Sequence, residues 1–313
     1  MALRSRRSNL AVPGSSTKML GKAQGLPADQ VFLDLEDAVA PLEKEAARAN
    51  IVAVLNDGDW GDKVRTVRVN DLTTKYTYRD VTEVVEGAGA NLDCIMLPKV
   101  QHAWHVQWLD TMLTQIEATM GFERRIGIEC QIENAQGLVN VDAIATASDR
   151  VETIIFGPAD FMASIAMPSL TVGALSPDYP GDPFHYILMR ILMAARAAGV
   201  QAIDGPYLQI KDVDGYREVA KKSAALGFDG KWVLHPGQLD VANEVYAPTQ
   251  DSYDKAELIL DAYDYATTVE RKGAVMLGDE MIDEASRKMA LVIAGKGRAA
   301  GMSRTTKFEP PAA

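Results

Sequence analysis

The sequence repeats one unit eight times: a short apolar run of strand length, a turn signal, then a longer stretch with helical spacing. The runs are Asn9–Val12, Val31–Leu35, Val64–Val69, Cys94–Val100, Ile126–Ile132, Thr153–Phe156, Val200–Ile203 and Lys231–Leu234. Between them lie helix-like stretches such as Leu42–Leu55, Tyr78–Gly87, Val106–Met120, Leu138–Ala147, Phe184–Ala198 and Gly215–Leu226. Runs rich in Ile, Val and Leu without strict alternation suit a parallel sheet buried on both faces. Such a sheet lies open or closes into a barrel, and the charges favour the barrel. Nearly every run ends in a polar or charged residue: Asp34 to Asp37, Arg68 and Asn70, Lys99, Glu133 and Asn134, Asp160, Asp204, and His235. In a (β/α)8 (TIM) barrel these ends meet at one mouth, whereas an open sheet spreads them along an edge. The expected fold is therefore an α/β TIM barrel with a C-terminal extension.

A chain of 313 residues suits either two domains or one large barrel with additions. The expected division is a barrel over residues 1–248, a helical lid over 249–301 and a disordered tail over 302–313. Within the lid, Ser252–Glu270 and Met281–Ala294 read as amphipathic helices joined by Gly273–Glu280. The stretch Met167–Asp182, rich in Pro, Gly and Ser, reads as a mobile loop beside the site. A net charge of −11 argues against nucleic acid or an anionic membrane surface as the main partner. No run approaches the ~18 consecutive apolar residues of a membrane-spanning helix. The basic start, Met1 to Arg7, lacks the apolar core of a secretory signal. The two cysteines, Cys94 and Cys130, each sit in an apolar run, as buried thiols in a reducing compartment do. A cytoplasmic location is expected.

Glu133 and Asp160 each stand just past an apolar run, at neighbouring strand ends. Two carboxylates aimed into one mouth need a shared proton, a cation or basic partners. If a cation is present, an all-oxygen pair suits Mg²⁺ rather than Zn²⁺. Asp34, Glu36 and Asp37 form a second acidic cluster that caps the next helix or pairs with Arg48 or Arg68. A guanidinium at the mouth, Arg68, can hold a carboxylate or stabilise an enolate oxygen. Arg7, Lys18 and Lys22 flank the loop Val12–Thr17, where Ser15 or Ser16 can cap a helix whose N-terminus favours phosphate; a solvated basic face explains the lysines as well. His102, His105 and His185 read as packing or surface residues, and His235, ending the eighth run, as either a site residue or a structural one. Gly295–Gly301 has the wrong spacing and follows a helix, so it is no dinucleotide fingerprint. No nucleophile motif and no CxxC pair occur.

Six segments in order, Val12–Ser15, Leu33–Val39, Arg68–Asn70, Leu97–Lys99, Ile132–Asn134 and Met281–Asp283, resemble the family of citrate lyase beta-subunit-like (HpcH/HpaI) aldolases and lyases across nearly the whole chain. Phe156–Phe161, Gly181–Tyr186 and Ala202–Pro206 are most similar to its malyl-CoA and β-methylmalyl-CoA lyases. The resemblance implies metal ligands at Glu133 and Asp160, a substrate-polarising Arg68, an acidic neighbour at Glu36 or Asp37, and a proton donor or acceptor at Asp283. It implies Mg²⁺ (or Mn²⁺) as cofactor, and acyl-CoA and 2-oxo acids as small-molecule partners. It also implies a homo-oligomer, trimer or hexamer, whose lid covers a neighbouring barrel. Around Asp283 the chain departs from the family, with Gly278-Asp279-Glu280 before Met281 and Glu284-Ala285 after Asp283. The expected reaction is reversible cleavage of malyl-CoA or β-methylmalyl-CoA to glyoxylate and acetyl-CoA or propionyl-CoA, with Arg7, Lys18, Lys22 and His235 as candidate contacts to substrate and CoA. Citramalyl-CoA cleavage to pyruvate, malyl-CoA hydrolysis and a non-catalytic acyl-CoA-binding assembly subunit are the alternatives.

Overall fold

Eight parallel strands, β1 (Ser8–Pro13), β2 (Gln30–Asp34), β3 (Val64–Arg68), β4 (Cys94–Leu97), β5 (Gly127–Ile132), β6 (Val151–Phe156), β7 (Gln201–Asp204) and β8 (Gly230–Val233), pair in chain order, and β8 pairs back onto β1. The closed barrel is that of a computed structural model that describes residues 4–172 and 179–309. Around it run α1 (Thr17–Gln24), α2 (Lys44–Asp57), α3 (Thr77–Ala88), α4 (Ala103–Met120), α5 (Ala135–Val139), α6 (Val141–Ala145), α7 (Pro158–Ser164), α8 (His185–Ala198), α9 (Val213–Leu226) and α10 (Leu239–Val245). The helix expected over Leu138–Ala147 is two short ones that meet at Asn140, whose backbone leaves the helical range there. Of the expected loop Met167–Asp182, residues 173–178 lie outside the described residues.

Alternation along the strands fixes which side chains enter the lumen. Phe32, Met96, Ile155, Ile203 and Trp232 fill one interior layer, with Ala11 packed against it. Asp34 lies two residues beyond Phe32, Arg68 two beyond Thr66, and Glu133 two beyond Gln131. Each therefore points inward one layer nearer the C-terminal mouth, where barrel enzymes build their sites. The opposite end is closed by Arg6, which donates to Gln30 Oε1 (2.7 Å), Gln201 Oε1 (2.6 Å) and Glu152 Oε2 (2.6 Å). Outward residues of the strands pack with the helices into one continuous apolar layer.

Residues Arg6–Tyr246 form one compact unit, and Ala247 onward, with Arg4 and Ser5, forms a second. In the second, α11 (Gln250–Thr268) packs on α12 (Glu284–Ala299) through Tyr253, Ala256, Ala290 and Ala294. The linker between them is an antiparallel hairpin, β9 (Val275–Leu277) and β10 (Glu280–Ile282), turned at Gly278, whose φ of 60° favours glycine. Residues 281 and 282 are thus committed to the hairpin, and the helix expected from Met281 begins at Glu284. The tail after Gly301, expected to be disordered, is held on α11 as far as Phe308. The Thr305 N–H donates to Asp254 Oδ1 (2.9 Å), its hydroxyl donates to the same carboxylate, Arg304 pairs with Asp261, and the rings of Phe308 and Tyr265 lie 5.8 Å apart. The acidic residues of α11 supply the attraction that composition alone did not reveal. Residues 310–313 lie outside the described residues. Among the described residues no helix is long and apolar enough to cross a membrane.

Candidate active site

Arg68 is the centre of the mouth. Its Nε and Nη2 donate to Asp34 Oδ1 and Oδ2, both at 2.7 Å, a two-pronged pair that fixes the plane of the guanidinium. The plane also rests over Trp232 and Phe32, with the guanidinium carbon 5.2 and 5.8 Å from the ring centroids. Asp34 is held in turn by the N–H groups of Glu36 (2.9 Å) and Ala38 (3.1 Å). Burial opposes ionisation of Asp34, but Arg68 and these donors outweigh it and keep its carboxyl below the usual range. Of the two arginines expected near the acidic cluster, Arg48 is elsewhere: it joins α2 to α3 through Asp80 (3.1 Å) and Glu83 (2.5 Å). Asn70 likewise serves α3, donating through its N–H and side chain to Asp80.

The residue that sequence reasoning missed is Lys99. It follows β4 in Leu97-Pro98-Lys99, with a φ of 50° that costs a non-glycine residue about 1–2 kcal/mol. That turn aims its N–H at Glu133 Oε1 (2.7 Å). Its ammonium lies 2.5 Å from Glu36 Oε1, 3.8 Å from Asp37 Oδ2 and 3.9 Å from Asp160 Oδ1. Burial disfavours the charge, but Glu36 and its acidic neighbours prevail and hold the ammonium above the ordinary lysine range. The only signals in the sequence were its place at a strand end and in the Leu-Pro-Lys segment.

Glu133 is buried, and its second oxygen accepts from Gln131 Nε2 (2.6 Å). Burial, with Glu36 adding to it, pushes its carboxyl well above the usual glutamate range. Burial likewise raises Glu36, whose Oε2 lies 3.0 Å from Arg68 Nη1 yet accepts no hydrogen bond. Asp160 and Asp37 are the solvent-facing members, with side chains 42% and 63% exposed. The charges do not balance within this group. Five carboxylates, Asp34, Glu36, Asp37, Glu133 and Asp160, face Arg68, Lys99 and the buried Lys44, whose ammonium donates to the carbonyls of Leu35 (2.7 Å) and Glu36 (2.9 Å). Counted as fully ionised, the group carries two net negative charges, a load that a divalent cation would neutralise and that burial otherwise relieves by favouring the protonated form of Glu133. Among the described residues no three His, Cys, Asp or Glu side chains form a ready-made metal-ligand group.

Gly157 follows β6 directly behind Glu133: a Cβ there would stand 2.5 Å from Glu133 Cβ and 2.6 Å from Oε2. Gly157→Ala is therefore expected to push Glu133 from its place and lower kcat by about a hundredfold, the usual cost of an ångström of misplacement. Steady-state kinetics beside a thermal melt checks this, and wild-type kcat in a folded variant would refute it.

The candidates for an anionic ligand divide. Arg7 precedes β1, so it lies at the opposite end of the barrel, where its guanidinium is paired with both oxygens of Asp29 (2.7 and 2.8 Å). It is not a mouth residue. Lys18 and Lys22 are exposed, one turn apart on α1, whose N-terminus Ser16 caps at the mouth end of the barrel. His235 is exposed just past β8, its Nδ1 accepting from the Gly237 N–H (3.1 Å) to cap a short turn. His102 and His105 are packing residues: His105 is buried, and His102 Nδ1 lies 3.1 Å from Asn140 Nδ2. Asp283 belongs to the second unit, where it caps α12 by accepting from the N–H groups of Ala285 (2.9 Å) and Ser286 (3.0 Å). Those bonds, that from Ser286 foremost, hold its carboxyl below the ordinary range.

A closed parallel barrel with an immobilised arginine and a cluster of carboxylates at its C-terminal mouth has the architecture of a barrel enzyme. Residues 7–236 match the model of the HpcH/HpaI aldolase/citrate lyase family, and the chain belongs to that family. It is 39% identical to an L-malyl-CoA/beta-methylmalyl-CoA lyase of Cereibacter sphaeroides over 299 residues, 93% of this chain and 94% of the relative. It is 34% identical to a malyl-CoA/beta-methylmalyl-CoA/citramalyl-CoA lyase of Chloroflexus aurantiacus, over 85% of this chain and 79% of that one. Among solved structures it resembles CitE of Mycobacterium tuberculosis in complex with magnesium, acetoacetate and coenzyme A. The TM-score is 0.71 and the identity 27%, covering 96% of this chain and 100% of that one.

Proposed function

We propose that this protein is a divalent-metal-dependent carbon–carbon lyase that cleaves malyl-CoA or β-methylmalyl-CoA to glyoxylate and acetyl-CoA or propionyl-CoA, reversibly. The observation that carries the reading is the pairing of a rigid, buried guanidinium with a crowded carboxylate cluster in one mouth. Similarity over nearly the full length to lyases of these thioesters supports the substrate class.

The donor chemistry fits Mg²⁺, with Mn²⁺ as a substitute: Glu133 and Asp160 offer hard oxygens, and water and substrate oxygens would complete the shell. When bound, the ion supplies Lewis acidity toward the hydroxyl and carboxylate of the 2-hydroxy acid. The remaining work falls to this chain. Carbon–carbon cleavage leaves a thioester enolate, and Arg68, locked by Asp34 and the two rings, is oriented to neutralise its oxygen without moving. Glu36 and Asp37 set the potential around the reacting carbonyl. Asp283 would exchange the proton at the enolate carbon, giving it in cleavage and taking it in the condensation direction. Lys18 and Lys22 would meet the CoA phosphates, and His235 would line the acyl chain's approach. In the same reading the protein is cytoplasmic and forms trimers or hexamers in which the C-terminal unit covers a neighbour's barrel.

Incubation with malyl-CoA and Mg²⁺, with products weighed by mass spectrometry, is expected to yield glyoxylate and acetyl-CoA. EDTA should abolish the reaction and excess Mg²⁺ restore it. Free malate would instead reveal a thioesterase, and acyl-CoA binding with no turnover an assembly subunit. The printed substrate range of the Chloroflexus relative also favours trying citramalyl-CoA, whose cleavage releases pyruvate. For the shared lid, mixing Asp283→Ala with Arg68→Ala subunits is expected to restore activity through hybrid oligomers; no recovery after proven subunit exchange counts against it.

A further inference from the structure

Lys99 has no place in the mechanism above, yet it reaches four of the five carboxylates of the mouth. Its ammonium is within 4 Å of three carboxylates, Glu36 and Asp37 after β2 and Asp160 on α7, and its N–H holds a fourth, Glu133. A lysine that merely balanced surface charge would not need a left-handed backbone to reach these partners. Lysine also suits a movable role, because its ammonium is a compact charge on a flexible stem, unlike the rigid fork of arginine. Glu36 is buried, and although Arg68 Nη1 lies 3.0 Å from its Oε2, the hydrogen bond to its carboxylate comes from Lys99.

Resting on the metal-dependent reading, we propose that Lys99 is a positioning residue that orients Glu133 through its backbone and, through its ammonium, competes with the divalent ion for the carboxylates of the mouth. The tethered cation keeps Glu36 and Asp160 in place before the ion arrives. Its positive charge, 3.9 Å from Asp160 Oδ1, would weaken binding of an ion held there and keep that ion exchangeable. Removing that charge while preserving the backbone N–H should therefore destabilise the metal-free protein and tighten its grip on metal, a combination that a purely structural lysine does not produce.

The test is Mn²⁺ titration followed by electron paramagnetic resonance, with thermal melts of metal-free protein, on the wild type, Lys99→Met and Lys99→Arg. Lys99→Met is expected to bind Mn²⁺ about tenfold more tightly, the scale of one unit charge a few ångströms away in a polar medium. Its metal-free melting temperature should fall, and Lys99→Arg should bind as the wild type does. Equal or weaker binding by folded Lys99→Met overturns the proposal while leaving the lyase reading intact. A wild type that binds no Mn²⁺ overturns both. Should Lys99→Met not fold, the comparison moves to Glu36→Gln against Glu36→Gln/Lys99→Met, where the double variant must bind more tightly; equal or weaker binding again overturns the proposal.

Discussion

Arg68→Ala is expected to lower kcat by about a thousandfold, on the scale of ~4 kcal/mol for one preorganised donor to a developing oxyanion. The same substitution should also destabilise the fold, because it leaves Asp34 buried without the partner that keeps it ionised. Breaking a buried pair in this way costs about 3–5 kcal/mol. The two effects are separable. Arg68→Ala combined with Asp34→Ala removes both charges, so its melting temperature should lie nearer the wild type than that of Arg68→Ala alone, while activity stays lost. Arg68→Lys keeps the charge but not the two-pronged grip or the stacking over Trp232, and should still lose activity by about a hundredfold. Near-wild-type turnover in either single variant would remove Arg68 from the chemistry.

Glu133→Gln and Asp160→Asn are expected each to reduce kcat by at least about a hundredfold, matching the several kcal/mol that a Lewis acid supplies to such a transition state. Both should weaken Mn²⁺ binding in parallel. Their effects on stability should differ from that of Arg68→Ala. The Glu133 carboxyl is already disfavoured as an anion by burial and by Glu36, so the amide relieves that cost while giving up one of the two hydrogen bonds from Lys99 and Gln131, and the metal-free melting temperature should change little. Asp160, solvent-facing, should be close to neutral. Full activity of Asp160→Asn in metal-free buffer would end the metal-dependent reading.

Much of this site was legible in the sequence because strand geometry is periodic. Once Val31–Leu35, Val64–Val69 and Ile126–Ile132 are recognised as parallel strands, polar residues at their ends must converge, and Asp34, Glu36, Arg68 and Glu133 do so. Arg7 shows where that logic slips. It adjoins the Pro13-Gly14 loop in sequence, but the six residues of β1, at ~3.3 Å each, carry it to the other end of the barrel. Lys99 shows the opposite failure: a single lysine after Leu-Pro carries no visible sign of the left-handed turn that brings it inward.

What the chain determines by itself is the alternation of strands and helices, hence a parallel sheet, and the row of charges at one end of it that favours closure into a barrel, because both follow from local period and strand direction. Only the tertiary structure decided which charges pair: Arg68 with Asp34 and not with Asp37, Lys99 with Glu36, Arg48 with Asp80 and Glu83. Ion pairing depends on distances of a few ångströms between residues tens of positions apart, and those distances exist only once the barrel has closed.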